Sequence, residues 1–176
     1  PFTFEKISLA DDPWKEAMKF EAEKYTLRED ILLFNHYFQQ CGHSRYAYLM
    51  SKEEFDNLGE LLEFSHQCIE GFSQEDIILA AGFHGTIGES ARSLNQVESK
   101  EQELLQGSEK ETRAKLLDQG RIYQEKFGMK FLVAARGASS EKILTILEHR
   151  LENTLEEEIQ NARDALGVIT KKRLQE

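Results

Sequence analysis

His84, Glu101, Gln102 and Arg136 are the residues of this chain whose types and settings could do chemistry. His84 stands in Gly82-Phe-His-Gly85, a glycine-flanked turn after a predicted helix. Histidine titrates near neutrality, so a side chain there can give or take a proton. It could equally be a turn histidine bonded to backbone. Glu101 and Gln102 are neighbours on a predicted helix and so point about 100° apart. A carboxylate beside an amide can hold a polar substrate and orient a base; the plainer reading is a solvated helix face. Arg136 closes the apolar run Phe131-Leu-Val-Ala-Ala135 and precedes Gly137. The run offers a rigid wall and the arginine a permanently charged fork. Such an arginine needs an anionic partner, either a structural carboxylate or a ligand. Taken together, these pieces make a candidate site for proton and carboxylate chemistry on a small anion.

Other chemistries find no motif. There is no HExxH, P-loop, GxGxxG or GxSxG. His36 and His43 are seven apart, with a helix end between them and no third ligand nearby, and read as non-metal positions. His66 and His149 fall in helical patterns as surface or packing residues. Cys41 and Cys68 form no CxxC, which favours two free thiols over a disulfide framework. The chain has 176 residues, 40% hydrophobic and 31% charged, enough for one soluble globular domain with a real core. Its net charge of -10 argues against nucleic acid or an anionic membrane as partner. No apolar run approaches the roughly 18 residues of a membrane span. No signal peptide is visible, and Arg173-Leu-Gln-Glu176 is no peroxisomal address, so a cytoplasmic location is the expectation.

The elements that must position these residues are helices. Prolines occur only at positions 1 and 13, and the rest is rich in Leu, Glu, Lys, Gln and Ala, predicting an all-α fold. Asp11 or Asp12 caps a helix from Trp14 to about Lys24. A second helix covers Arg28 to Gln40 and stops at Gly42. Ser51 with Glu54 predicts a capping box for a helix toward Phe64, and Ser73 with Asp76 another for a short helix ending near Gly82. Further helices are expected over about Val97–Gly107 and over Lys110–Phe127, the latter broken at Gly128. Ser139 or Ser140 caps a helix from Glu141 to Leu151, and Thr154 with Glu157 caps the last one. In that helix Leu155, Ile159, Ala162, Leu166 and Ile169 form one apolar stripe. Phe131–Ala135 resists the pattern and is expected as an extended segment inside a helical domain.

The set His84, Glu101-Gln102 and Arg136, in that order, resembles the 2-oxo-4-hydroxy-4-carboxy-5-ureidoimidazoline (OHCU) decarboxylases of urate breakdown. The resemblance is strongest over residues 97–174. It rests on Tyr123, Lys126-Phe127-Gly128, Phe131, Arg136-Gly137, Ile143-Leu144, Arg150-Leu151, Asn153, Glu158 and Arg173-Leu174. Upstream, Ser51-Lys-Glu-Glu-Phe resembles the family's early helix and Glu63-Phe-Ser65 its Glu-x-Ser turn. The chain departs from the family at Gly85, where His-Pro is usual, at Gly120, where asparagine precedes the tyrosine, and at His66-Gln67, where Pro-Trp follows the serine. Residues 1–45 read as divergent N-terminal helices and 50–176 as the decarboxylase-like core of a single domain.

The resemblance implies an all-helical bundle, a homodimer, and a cofactor-free and metal-free decarboxylation of OHCU to (S)-allantoin. A eukaryotic member would be peroxisomal. It implies His84 as acid/base, Glu101 as its orienting partner and Arg136 as the group that holds the substrate's anionic oxygens. Gly85, Glu98, Gln102, Phe131, Leu132, Val133, Ala134 and Ala135 would contact the substrate. Losing a carboxylate leaves electrons on carbon that must be delocalised, and catalysis then means stabilising that charge and delivering one proton to one face. Two other readings share the fold: a non-catalytic helical interaction domain, and a lyase for another small ureido or carboxylate compound.

Overall fold

The computed structural model describes residues 27–84 and 110–176. The helices expected over Trp14–Lys24 and Val97–Gly107 lie outside them, as do Gly85, Glu98, Glu101 and Gln102. Seven helices are present among the described residues: α1 (Leu27–Cys41), α2 (Ser44–Lys52), α3 (Leu58–Glu70), α4 (Gln74–Phe83), α5 (Lys110–Phe127), α6 (Ser140–Arg150) and α7 (Leu155–Gln175). The fold is all-α. No described helix is long and apolar enough to cross a membrane.

Helix α7 is the element around which the others are arranged, since α1, α3 and α4 all pack against it. Ile159, Ala162, Leu166 and Ile169 form its buried stripe. Leu155, expected in that stripe, is 40% exposed. It is the first helical residue, one turn outside the packed region. Helix α6 packs on α5 and buries Ile143 and Leu147. Each such fully buried aliphatic side chain contributes about 1.5–3 kcal/mol. Cys41 is buried and Cys68 half-buried, both as free thiols.

The caps follow local chemistry. Ser73–Asp76 and Thr154–Glu157 form reciprocal capping boxes, and Ser139 caps α6. Two upstream expectations are corrected. Ser51 lies inside α2, where its hydroxyl donates to the Tyr48 carbonyl, and Asn57 is the N-cap of α3. Glu63-Phe-Ser65 is no turn. It lies within α3, where Ser65 is buried against the Tyr46 hydroxyl at 2.7 Å. Helix α2 escapes the sequence reading because its N-cap is histidine. His43 Nδ1 accepts from the Arg45 N–H, so Nε2 carries the proton and donates it to Asp76 Oδ1 at 2.8 Å. Arg45 pairs with the other Asp76 oxygen. One carboxylate thereby caps α4 and ties down the start of α2. Burial alone would raise its pKa. Hydrogen bonding from Ser73, together with the His43 imidazole and the Arg45 guanidinium, outweighs that and holds it below the usual carboxylate range.

Basic side chains close several helix C-termini, where the last carbonyls have no intrahelical donors. Arg163 of α7 donates to the carbonyls of Ile69, Glu70 and Phe72 at the end of α3. Arg173, also of α7, does the same for Gln39 and Gln40 at the end of α1. Lys126 reaches the Leu151 carbonyl after α6.

A buried ionic network joins α5, α6 and α7. Glu158 is wholly buried and accepts from Arg150, Tyr123, Asn153 and Asn161 at 2.8–3.2 Å. Arg150 Nη1 donates to the Leu132 carbonyl at 2.7 Å. The extended segment 129–135 is thereby tied to the same network. Removing one partner of such a pair strands the other charge in the interior. We expect Glu158→Ala to cost about 3–5 kcal/mol, and the double variant Arg150→Met/Glu158→Leu to cost clearly less than the sum of its single changes. Urea unfolding of the four proteins checks this.

Candidate active site

Gly42 ends α1 with φ +82°, a conformation that L side chains rarely adopt. The Phe83 ring lies where a side chain at position 42 would be, its atoms 2.4–2.5 Å from an added Cβ. Phe83 also meets Phe38 of α1 edge-on, with ring centroids 5.1 Å apart. The end of α4 is therefore seated on the end of α1, and the next residue is His84.

His84 is the C-cap of α4 and is 5% exposed. Its Nε2 is buried and has no hydrogen-bond partner among the described residues. Three groups surround it: the Cys41 backbone at the end of α1, Arg173 of α7, and Lys130 of the extended segment. Lys130 Nζ donates to the His84 carbonyl at 3.3 Å. Burial, then the Arg173 charge, and lastly Lys130 push the imidazole pKa down to about 3, against hydrogen bonding to the Cys41 backbone, which raises it. Because Nε2 has no partner among the described residues, the Cys41 interaction falls to Nδ1 and leaves Nε2 as the buried nitrogen without a hydrogen bond. At neutral pH the ring is an uncharged base.

The extended segment begins beside His84 and ends at Arg136. Among the described residues it contains no strand, as the sequence suggested. Phe131 and Leu132 are buried, while Val133, Ala134 and Ala135 are half-buried. The Phe131 ring meets Tyr123 edge-on at 5.2 Å and lies under the Arg150 guanidinium, 4.7 Å away. The buried network thus stiffens this wall from behind. Arg136 is exposed and pairs with the Glu176 carboxylate. Together with Ala134, Ala135, Ile169 and Lys172 it lines a small cavity of about 10 Å³. His84 and Arg136 therefore share one neighbour, the C-terminal end of α7 with its cap Glu176, which presents Arg173 to the first and Ile169, Lys172 and Glu176 to the second.

A larger cavity of about 90 Å³ lies between α5, α6 and the start of the segment. Gly120, Gln124, Lys130 and Phe131 are among its lining residues. A Cβ at Gly120 would meet nothing within 4 Å, so the glycine leaves open space there. Neither His84 nor Arg136 lines this cavity.

Lys130 and Arg173 are the neighbours of His84 that sequence reasoning passed over as site residues. Lys130 did carry a signal, as a lone cation between the buried Met129 and Phe131. Arg173 carried none, because it sits among the basic residues that any helix end attracts.

A histidine whose pKa is lower in the folded chain than in the unfolded one binds its proton first in the unfolded chain. Its contribution to stability is whole above about pH 6.5 and is lost as pH falls toward 3. We expect the His84 ring to remain neutral at pH 5 in the folded protein, read from its imidazole 15N shifts. We also expect His84→Gln to flatten part of the loss of stability between pH 6.5 and 4.

The OHCU decarboxylase family model matches residues 26–175, reaching far upstream of the span where the sequence motifs carry the resemblance. A crystal structure of OHCU decarboxylase in the presence of (S)-allantoin superposes with a TM-score of 0.69 at 22% identity. The alignment covers 78% of this chain and 93% of that one. A crystal structure of (S)-allantoin synthase gives a TM-score of 0.64 at 15% identity, over 86% of this chain and 53% of that one. No curated protein sequence matches the chain. At these identities the two crystal structures show the fold alone, whereas the family match takes in most of the sequence, and by it the chain belongs to the OHCU decarboxylase family.

Proposed function

We propose that this protein decarboxylates 2-oxo-4-hydroxy-4-carboxy-5-ureidoimidazoline to (S)-allantoin without a cofactor. The observation that carries the reading is His84: a buried, uncharged imidazole whose Nε2 has no hydrogen-bond partner among the described residues, in a chain of this family. In the reaction the carbon–carbon bond to the carboxylate breaks and carbon dioxide leaves. Its electron pair passes into the adjacent unsaturated bond of the ring, whose nitrogen takes a proton from solvent. The hydroxyl proton then moves to the neighbouring carbon, which becomes the stereocentre. A neutral imidazole can accept the hydroxyl proton and return it on one face, with the Glu101 carboxylate of this reading offsetting the charge that the ring then carries.

In this reading Glu101 orients His84 and the hydroxyl, Gln102 bonds the ureido or ring polar atoms, and Arg136 holds the anionic oxygens. Gly85, Glu98 and the wall Phe131–Ala135 complete the substrate contacts. The Leu132 carbonyl already serves Arg150, which leaves its N–H as the better group for a ligand. The Arg136–Glu176 pair is exposed and worth little, so an anionic substrate can displace it. The working unit is a homodimer in the cytoplasm.

The test generates the substrate fresh from urate with urate oxidase and hydroxyisourate hydrolase, and follows circular dichroism. The protein should speed loss of the substrate and leave the signal of (S)-allantoin. His84→Ala and Glu101→Ala should each lower kcat at least about 100-fold with the fold intact, while Arg136→Ala should act mainly on KM. A well-folded sample that does not exceed spontaneous decay to racemic allantoin would sink the proposal and favour a binding role or another substrate.

A further inference from the structure

Lys130 is a half-buried ammonium between two buried neighbours, Met129 and Phe131. A lysine amine is strongly hydrated, and bringing it to the edge of the core costs desolvation unless it finds a partner. Its partner is the carbonyl of His84, 46 residues away in sequence. That carbonyl belongs to the peptide unit shared with Gly85. Glycine imposes almost no steric limit on its own backbone, so nothing in the residue type at 85 fixes this peptide plane. The other groups around His84 act elsewhere: Cys41 through its backbone, and Arg173 through its charge while it holds the Gln39 and Gln40 carbonyls. Lys130 is also among the residues that line the larger cavity, which His84 itself does not reach, so this one residue borders that space and bonds the backbone of the candidate acid/base.

We propose that Lys130 is a positioning residue for His84, its ammonium pinning the His84-Gly85 peptide so that the imidazole keeps Nε2 turned toward the reacting group. This rests on the reading of His84 as the acid/base. A lysine that merely closes the C-terminus of α4 would give the same hydrogen bond, so the test must read something else. Lys130 carries a charge that opposes protonation of the ring, and removing the charge moves the imidazole pKa upward.

The experiment compares Lys130→Met and Lys130→Arg in the full chain. Lys130→Met should lower kcat about tenfold or more, the order of loss that follows when a reacting group leaves its fixed geometry, with KM moving less than about threefold. The acid limb of its kcat profile should shift to higher pH. Lys130→Arg, which keeps the charge and a donor, should restore most of kcat and the wild-type limb. An unchanged kcat in Lys130→Met, an unmoved acid limb, or a loss that Lys130→Arg does not restore each overturns the proposal. Turnover that survives in His84→Gln would instead remove the acid/base assignment. In that case the imidazole 15N signals still decide the positioning, because a His84 ring with wild-type tautomer and titration in Lys130→Met refutes it.

Discussion

The carboxylate of Glu158 holds the described part of this molecule together. It is wholly buried, and Arg150 and Tyr123, with two asparagine amides, converge on it. A charge in that position is tolerable only because its acceptor sites are occupied and a guanidinium neutralises it. Arg150 in turn has a second duty, on the Leu132 carbonyl and the face of Phe131. The extended segment has no neighbouring strand among the described residues to satisfy its backbone. Its geometry is borrowed from this arginine, and the alignment of Lys130 at one end and Arg136 at the other depends on that loan.

Helix α7 contributes the carboxylate and also the two arginines that close α3 and α1. The result is a central rod whose polar side chains set where its neighbours stop. Positions of helix ends matter here because His84 is itself a helix end. It is placed by the end of α1 through Gly42 and Phe83, and by α7 through Arg173.

Much of the fold was legible from local chemistry. The boxes at Ser73 and Thr154, the stops at Gly42 and Gly128, and the extended run at Phe131 are all decided by a few adjacent residues, and all are present in the structure. Helix α2 was hidden because its cap is a histidine held by an aspartate 33 residues away, a long-range contact with no local trace. The capping box assigned to Ser51 failed for a related reason, since tertiary packing carries α2 through that serine. The site was legible only as residue types. Nothing in the spacing of Tyr123, Arg150, Asn153 and Glu158 announced that the motifs of greatest resemblance form one buried support behind the wall. His84 was chosen for its glycine-flanked turn, whereas its lowered pKa comes from burial and two cations supplied by distant segments. Where Glu101 and Gln102 lie relative to it falls outside the described residues.

The seating of Phe83 against Gly42 has an evolutionary consequence. Position 42 is doubly closed to other residues, by its backbone conformation and by the ring that fills the space of a side chain. Drift there could not be absorbed by a compensating change at Phe83 alone, because a smaller ring would leave the left-handed backbone unrelieved and give up the contact with Phe38. The pair can therefore change only together and against the slope of stability. Glycine at 42 and an aromatic at 83 are therefore expected to be kept together wherever the end of α4 is seated on the end of α1 in this way.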